Sequence, residues 1–114
     1  MFKGLSGLGD MAGMMSKVGE MKKRMEEAQA NFETTYVEGE DSAGLVKATV
    51  NVKGNLNNIQ IGQDALALET SQMEAAIVEA VRVAQANGQG VMAAELAKIS
   101  EDLGLPPGLG LPGT

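Results

Sequence analysis

The chain predicts an α+β fold in which a three-stranded antiparallel meander is flanked by two long helices. Two observations carry that reading. Apolar residues recur every three or four positions near both ends of the chain, whereas its middle alternates residue by residue between apolar and polar. A third, the clustering of Gly, Asn, Asp and Pro at the junctions, sets the boundaries. At 114 residues the chain has room for one domain with a modest core.

Residues 1–9, MFKGLSGLG, hold three glycines and no helical period, so a flexible N-terminal arm is expected. From Asp10, a candidate N-cap, Met11, Met14, Val18, Met21, Met25, Ala28 and Phe32 follow at alternating spacings of three and four, which is a heptad seam on a first helix. The β-formers Thr34, Thr35, Tyr36 and Val37 then lead into GEDSAG at 39–44, a turn between strands. In LVKATVNVK, Val46, Ala48, Val50 and Val52 form one face, expected to be core, and Lys47, Thr49, Asn51 and Lys53 form a wet one. A turn at Lys53-Gly54-Asn55 precedes a third strand carrying Asn57, Ile59 and Ile61. Ser71 and Glu74 have the spacing of a capping box at the start of a second helix over 71–103, which Gly104 and Pro106-Pro107 end. Gly88 and Gly90 interrupt it, so a bend or a close packing contact is expected at 87–90. The organisation expected is thus an arm at 1–9, one domain over 10–104, and a Pro/Gly-rich tail over 105–114.

These helices would be about 35 and 50 Å long at 1.5 Å per residue, against a radius of gyration of about 13 Å for a domain of 100 residues. Their apolar stripes therefore need a cover, and a homodimer supplies one, with Met14, Val18, Met21, Met25, Val50, Val52 and Ile59 as the expected seam and core. A helical hairpin within one chain is the alternative.

The block AGLVKATVNVKGNLNNIQI at 43–61 resembles the signature of the YbaB/EbfC family of small bacterial nucleoid-associated proteins. The likeness extends over nearly the whole chain, from the Gly- and Met-rich start through the Met-containing first helix to Leu105-Pro106-Pro107-Gly108. The resemblance implies a tweezer-like homodimer whose long helices engage duplex DNA with little sequence preference, placing the protein in the cytoplasm and nucleoid. Family members often carry more basic residues along the second helix, where this chain has Arg82 and Lys98 against Glu74, Glu79, Glu95, Glu101 and Asp102.

For DNA contact the densest cations are Lys22, Lys23 and Arg24, with Lys17 just over one turn earlier. The plainer use of these residues is pairing with Glu20, Glu26 and Glu27 on the same helix. Lys47 and Lys53 on the second strand rank next, and Arg82 follows, with pairing to Glu79 or Glu74 as its plainer use. Asn55, Asn57 and Asn58 are ordinary turn residues that can also touch bases or sugars. The net charge of −6 runs against simple DNA coating. A protein-interaction or chaperone-like adaptor with protein partners is therefore the rival function, using the methionines at 11, 14, 15, 21 and 25 as a flexible face.

The chain has neither Cys nor His, which removes thiolate chemistry and the commonest general base and metal ligand. The paired carboxylates Glu26-Glu27 and Glu40-Asp41 lack further ligands, and no phosphate-cradling glycine motif is present. The expectation is a protein without enzymatic activity, metal or cofactor. No run is apolar and long enough to span a bilayer, so no membrane association is expected.

Overall fold

The computed structural model describes the backbone of residues 2–104 and the side chains of residues 12–104. Its elements follow in the order α1 (Phe2–Thr34), β1 (Tyr36–Glu40), β2 (Val46–Asn51), β3 (Leu56–Ile61), a 3-10 turn (Gln63–Ala67) and α2 (Thr70–Asp102). The strands form one sheet in the order β1-β2-β3 with both pairings antiparallel, so the α+β meander with two long helices is observed. The tail at 105–114 and the Met11 side chain lie outside the described residues.

The chain divides into a sheet unit, Ala30–Ala94, and a helical unit made of α1 up to Gln29 and α2 from Glu95 onward. In the sheet unit Val46, Ala48, Val50 and Val52 are at most 1% exposed, as the alternation predicts. Ala65, Ala80 and Ala84 complete that core, and Ile59, Ile77 and Val81 pack against it half-buried. Small residues are needed here because α2 lies directly on the backbone of the sheet. A Cβ on Gly39 would collide with the Ala84 nitrogen and stand 2.7 Å from the Ala80 carbonyl oxygen, and one on Gly88 would stand 2.9 Å from the Val52 carbonyl oxygen. Of the two outcomes expected at 87–90, Gly88 therefore provides the close contact. α2 runs unbroken through it.

Several boundaries differ from the expectation. α1 begins at Phe2 and encloses Asp10, so residues 2–9 are helical rather than an unstructured arm, and Asp10 is not a cap. Extending an existing helix adds one hydrogen bond for each residue fixed, without the cost of nucleation, and three glycines do not outweigh that. At its other end α1 takes in Thr34. Thr34 Oγ1 and Thr35 Oγ1 donate to the Asn31 carbonyl (3.2 and 2.8 Å), satisfying an acceptor that the end of the helix leaves open. Gly39 and Glu40 belong to β1 and not to the turn, because β1 pairs through Glu40 with Lys47.

The cap of α2 is also shifted. The Glu69 N–H donates to Gln72 Oε1 (3.1 Å) and the Glu69 carbonyl accepts from the Met73 N–H (2.9 Å), so Glu69 and Gln72 occupy the places expected for Ser71 and Glu74. Asn51, expected on the wet face, is buried because it serves the hairpin. Its Oδ1 accepts the Asn55 N–H at 2.9 Å and its Nδ2 donates to the Glu33 carbonyl at 3.4 Å. An irregularity in the β2–β3 pairing at Thr49/Val50 accompanies this turn, where Gly54 takes φ +96°.

In the helical unit Met21, Ala28, Leu96, Ile99 and Leu103 are buried, continuing the stripes of both helices. Met14 and Val18, earlier on the α1 stripe, are each 60% exposed, and neighbouring Met15 is 73% exposed. Gly104 closes α2 with φ +69°, its N–H donating to the Glu101 carbonyl at 3.0 Å.

Candidate nucleic-acid interface

The expected DNA-binding side chains divide between the two units. Lys17, Lys22, Lys23 and Arg24 lie on the helical unit, and Lys47, Lys53 and Arg82 lie on the sheet unit. The division also resolves the acidic balance. Residues 12–29 with 95–104 hold five cations against six anions, whereas residues 30–94 hold three against eight. Most of the negative charge thus belongs to the sheet unit, and the helical unit is close to neutral.

Pairing separates the units further. Lys47 reaches Glu38 at 3.6 Å and Glu40 at 3.8 Å on the neighbouring strand, and Lys53, which lies in the turn after β2 rather than on it, reaches Glu33 at 3.0 Å, so both lysines are engaged by carboxylates. On the helical unit Arg24 Nη2 donates to Asp102 Oδ2 at 3.1 Å. Lys17 Nζ lies beside Gly104, 3.8 Å from where a Cβ would stand, and so faces the negative end of the α2 dipole. Lys22 and Lys23 are exposed and make no ion pair with any described residue. The expected same-helix pairs with Glu20, Glu26 and Glu27 do not form among the described residues. Arg24 instead uses a carboxylate 78 positions away.

Arg82 corrects a second expected pairing. Neither Glu79 nor Glu74 bridges to it among the described residues. Glu79 Oε1 instead accepts the Ser42 N–H. Asn55 is used within its turn, while Asn57 and Asn58 are exposed on β3. Lys98, which sequence reasoning did not rank, is an exposed cation of the helical unit without an ion pair among the described residues. Its signal was present in the sequence as one of only two cations on the second helix, but carboxylates outnumbering it there masked it.

Asp41 holds the β1–β2 turn, its Oδ1 accepting the N–H groups of Leu45 (2.7 Å) and Val46 (2.8 Å). The Val46 N–H, against a smaller opposing effect of burial and with help from Leu45, holds this carboxyl below its ordinary pKa. Among the described residues no cluster of acidic side chains is placed to hold a metal ion, and no helix is long and apolar enough to cross a membrane.

Comparison with known proteins gives concordant results. The sequence profile of the YbaB/EbfC DNA-binding family matches residues 7–103. A nucleoid-associated protein of Granulibacter bethesdensis is 36% identical over 104 residues, covering 90% of this chain and 97% of its own length. Nucleoid-associated proteins of Agrobacterium fabrum and Methylocella silvestris are 34% and 31% identical with the same coverage. Among solved structures, an uncharacterized protein of Helicobacter pylori superposes with a TM-score of 0.57 at 19% identity, over 82% of this chain and 90% of that one, and so shares the fold.

Proposed function

This chain belongs to the YbaB/EbfC DNA-binding family, and from that premise we propose that it is a nucleoid-associated protein binding duplex DNA as a homodimer with little sequence preference. The observation that carries the reading is the cation group of the helical unit, Lys22 and Lys23, which have no ion-pair partner among the described residues, with Lys17 and Arg24 on the same helix. Successive residues on a helix point about 100° apart. Lys22 and Lys23 therefore project as point charges in different directions, suited to phosphates and not to reading base edges in register. Affinity then rests on counterion release. Lys47 and Lys53, held by Glu33, Glu38 and Glu40, are secondary. The relatives' names place those proteins at the nucleoid, and the same location, within the cytoplasm, is proposed here.

A mobility-shift titration on a random duplex of about 30 base pairs, run at low and physiological salt, tests this. Binding that weakens with salt on any sequence, and is lost when Lys22, Lys23 and Arg24 are all changed to Glu, is the expected result. Undiminished binding by that variant would remove the site assignment, and absence of binding at low salt would remove the function. A second reading, a protein-interaction adaptor, is favoured by the exposure of Met14, Met15 and Val18. It predicts a proteinaceous partner retained from lysate after nuclease treatment.

A further inference from the structure

Within the sheet unit, one face of α2 carries a shallow groove of about 530 Å³ lined by Ser71, Glu74, Ala75, Val78, Arg82 and Val83, together with Glu79. Val78 and Val83 are 46% and 39% exposed there, the apolar floor of a helix face that nothing in the sheet unit covers. Three features of the groove identify what it fits. Val78 lies midway between Glu74 and Arg82, and since four residues advance a helix by about 40° beyond a full turn, the three side chains share one face. Glu74 and Arg82 make no ion pair or side-chain hydrogen bond with any described residue. Glu79, the other carboxylate here, is turned away to the Ser42 N–H.

We propose that this face is where a second copy of the chain docks, with the two α2 helices antiparallel about a two-fold axis at Val78. The inference rests on the homodimer reading and locates its interface. An antiparallel copy sets Val78 against Val78 and brings Glu74 of each copy level with Arg82 of the other, about 6 Å on either side of the axis. The unpaired carboxylate and the unpaired guanidinium then satisfy each other twice, and the exposed valines are covered. A parallel copy would set Glu74 against Glu74 and Arg82 against Arg82, so the charges select the antiparallel arrangement. Self-complementarity of this kind is what an isologous interface requires. The same charges disfavour nucleic acid as the occupant, since Glu74 and Glu79 outnumber Arg82 along the groove.

Sedimentation equilibrium of the full chain at low salt, with and without random duplex DNA, tests the assignment. The variants are Glu74→Arg, Arg82→Glu, the double exchange, and Val78→Asp, all at exposed positions, with far-UV circular dichroism confirming the fold. Each single charge reversal is expected to raise the dimer dissociation constant by about 10-fold or more, because it opposes like charges twice. The double exchange is expected to return it to near the parental value, and Val78→Asp to leave monomers. Single reversals that dimerise like the parent, or a double exchange no better than the singles, would overturn the interface while leaving the homodimer reading intact. A parent that stays monomeric at every concentration would overturn the homodimer reading itself. Loss of DNA binding in Arg82→Glu with dimerisation unchanged would make Arg82 a phosphate contact and overturn the assignment.

Discussion

The sheet unit and the helical unit use the same kinds of residue to opposite ends. In Ala30–Ala94 the core residues Val46, Ala48, Val50, Val52, Ala80 and Ala84 are small and buried, α2 lies against the sheet's backbone, and Lys47 and Lys53 are held by carboxylates. In the helical unit methionines dominate the stripe, its N-terminal part is exposed, and Lys22 and Lys23 have no partner among the described residues. A close-packed region tolerates little change in volume, whereas a flexible, incompletely covered one can adapt to a surface brought to it. Stability is therefore expected to rest mainly on the sheet unit's core, whereas the cations proposed for DNA contact lie on the helical unit.

The comparison breaks most visibly at Gly39. Gly39→Val drives a side chain into the backbone of Ala80 and Ala84, and a loss of about 3 kcal/mol is expected from overpacking alone, read by urea unfolding. Val50→Ala is expected to cost roughly 2 kcal/mol by leaving a cavity in the core. Met14→Ala, at an exposed site, is expected to change stability by less than about 0.5 kcal/mol in the isolated protomer. If instead Met14→Ala costs as much as Val50→Ala, and does so only at concentrations that favour association, the exposed stripe is covered in solution and the contrast between the units narrows.

On the functional side, Lys22→Ala with Lys23→Ala is expected to flatten the dependence of log affinity on log salt by about 1 for each phosphate contact removed. Lys47→Ala with Lys53→Ala is expected to leave that slope nearly unchanged. Equal effects from the two pairs would place DNA across both units.

Asp41 sharpens the comparison through pH. Its carboxyl titrates lower in the folded chain than when unfolded, so it contributes stability that is present above about pH 4 and is lost as pH falls through its folded value. Urea midpoints measured from pH 5 downward are expected to fall less steeply in Asp41→Asn than in the parent. An identical slope would mean the turn does not depend on the charge. A small effect is also expected at Asp102→Asn, where the pair with Arg24 is substantially exposed and is worth at most about 1 kcal/mol after screening by water.

What could be read from the sequence was what local periodicity encodes. The alternation of Val46, Ala48, Val50 and Val52 identified the buried face of β2, and the spacing of Met21, Ala28 and Phe32 identified the inward side of α1. The order of these elements carried the resemblance that the family comparison bears out. The 87–90 segment was legible as either a bend or a close contact, but the choice of the contact, and the Val52 backbone that requires it at Gly88, was not. Element ends were less legible, because Thr34 and Gly39 have propensities that tertiary neighbours override.

Of the candidate interface, the sequence supplied the cations and the tertiary structure decided their state. The Arg24–Asp102 pair, the capture of Lys53 by Glu33 and the burial of Asn51 all join positions far apart along the chain, which no spacing rule connects. Composition and period are properties of neighbouring residues and survive in the sequence. Which carboxylate meets which cation depends on how helices and strands close on one another, and only the folded chain specifies that.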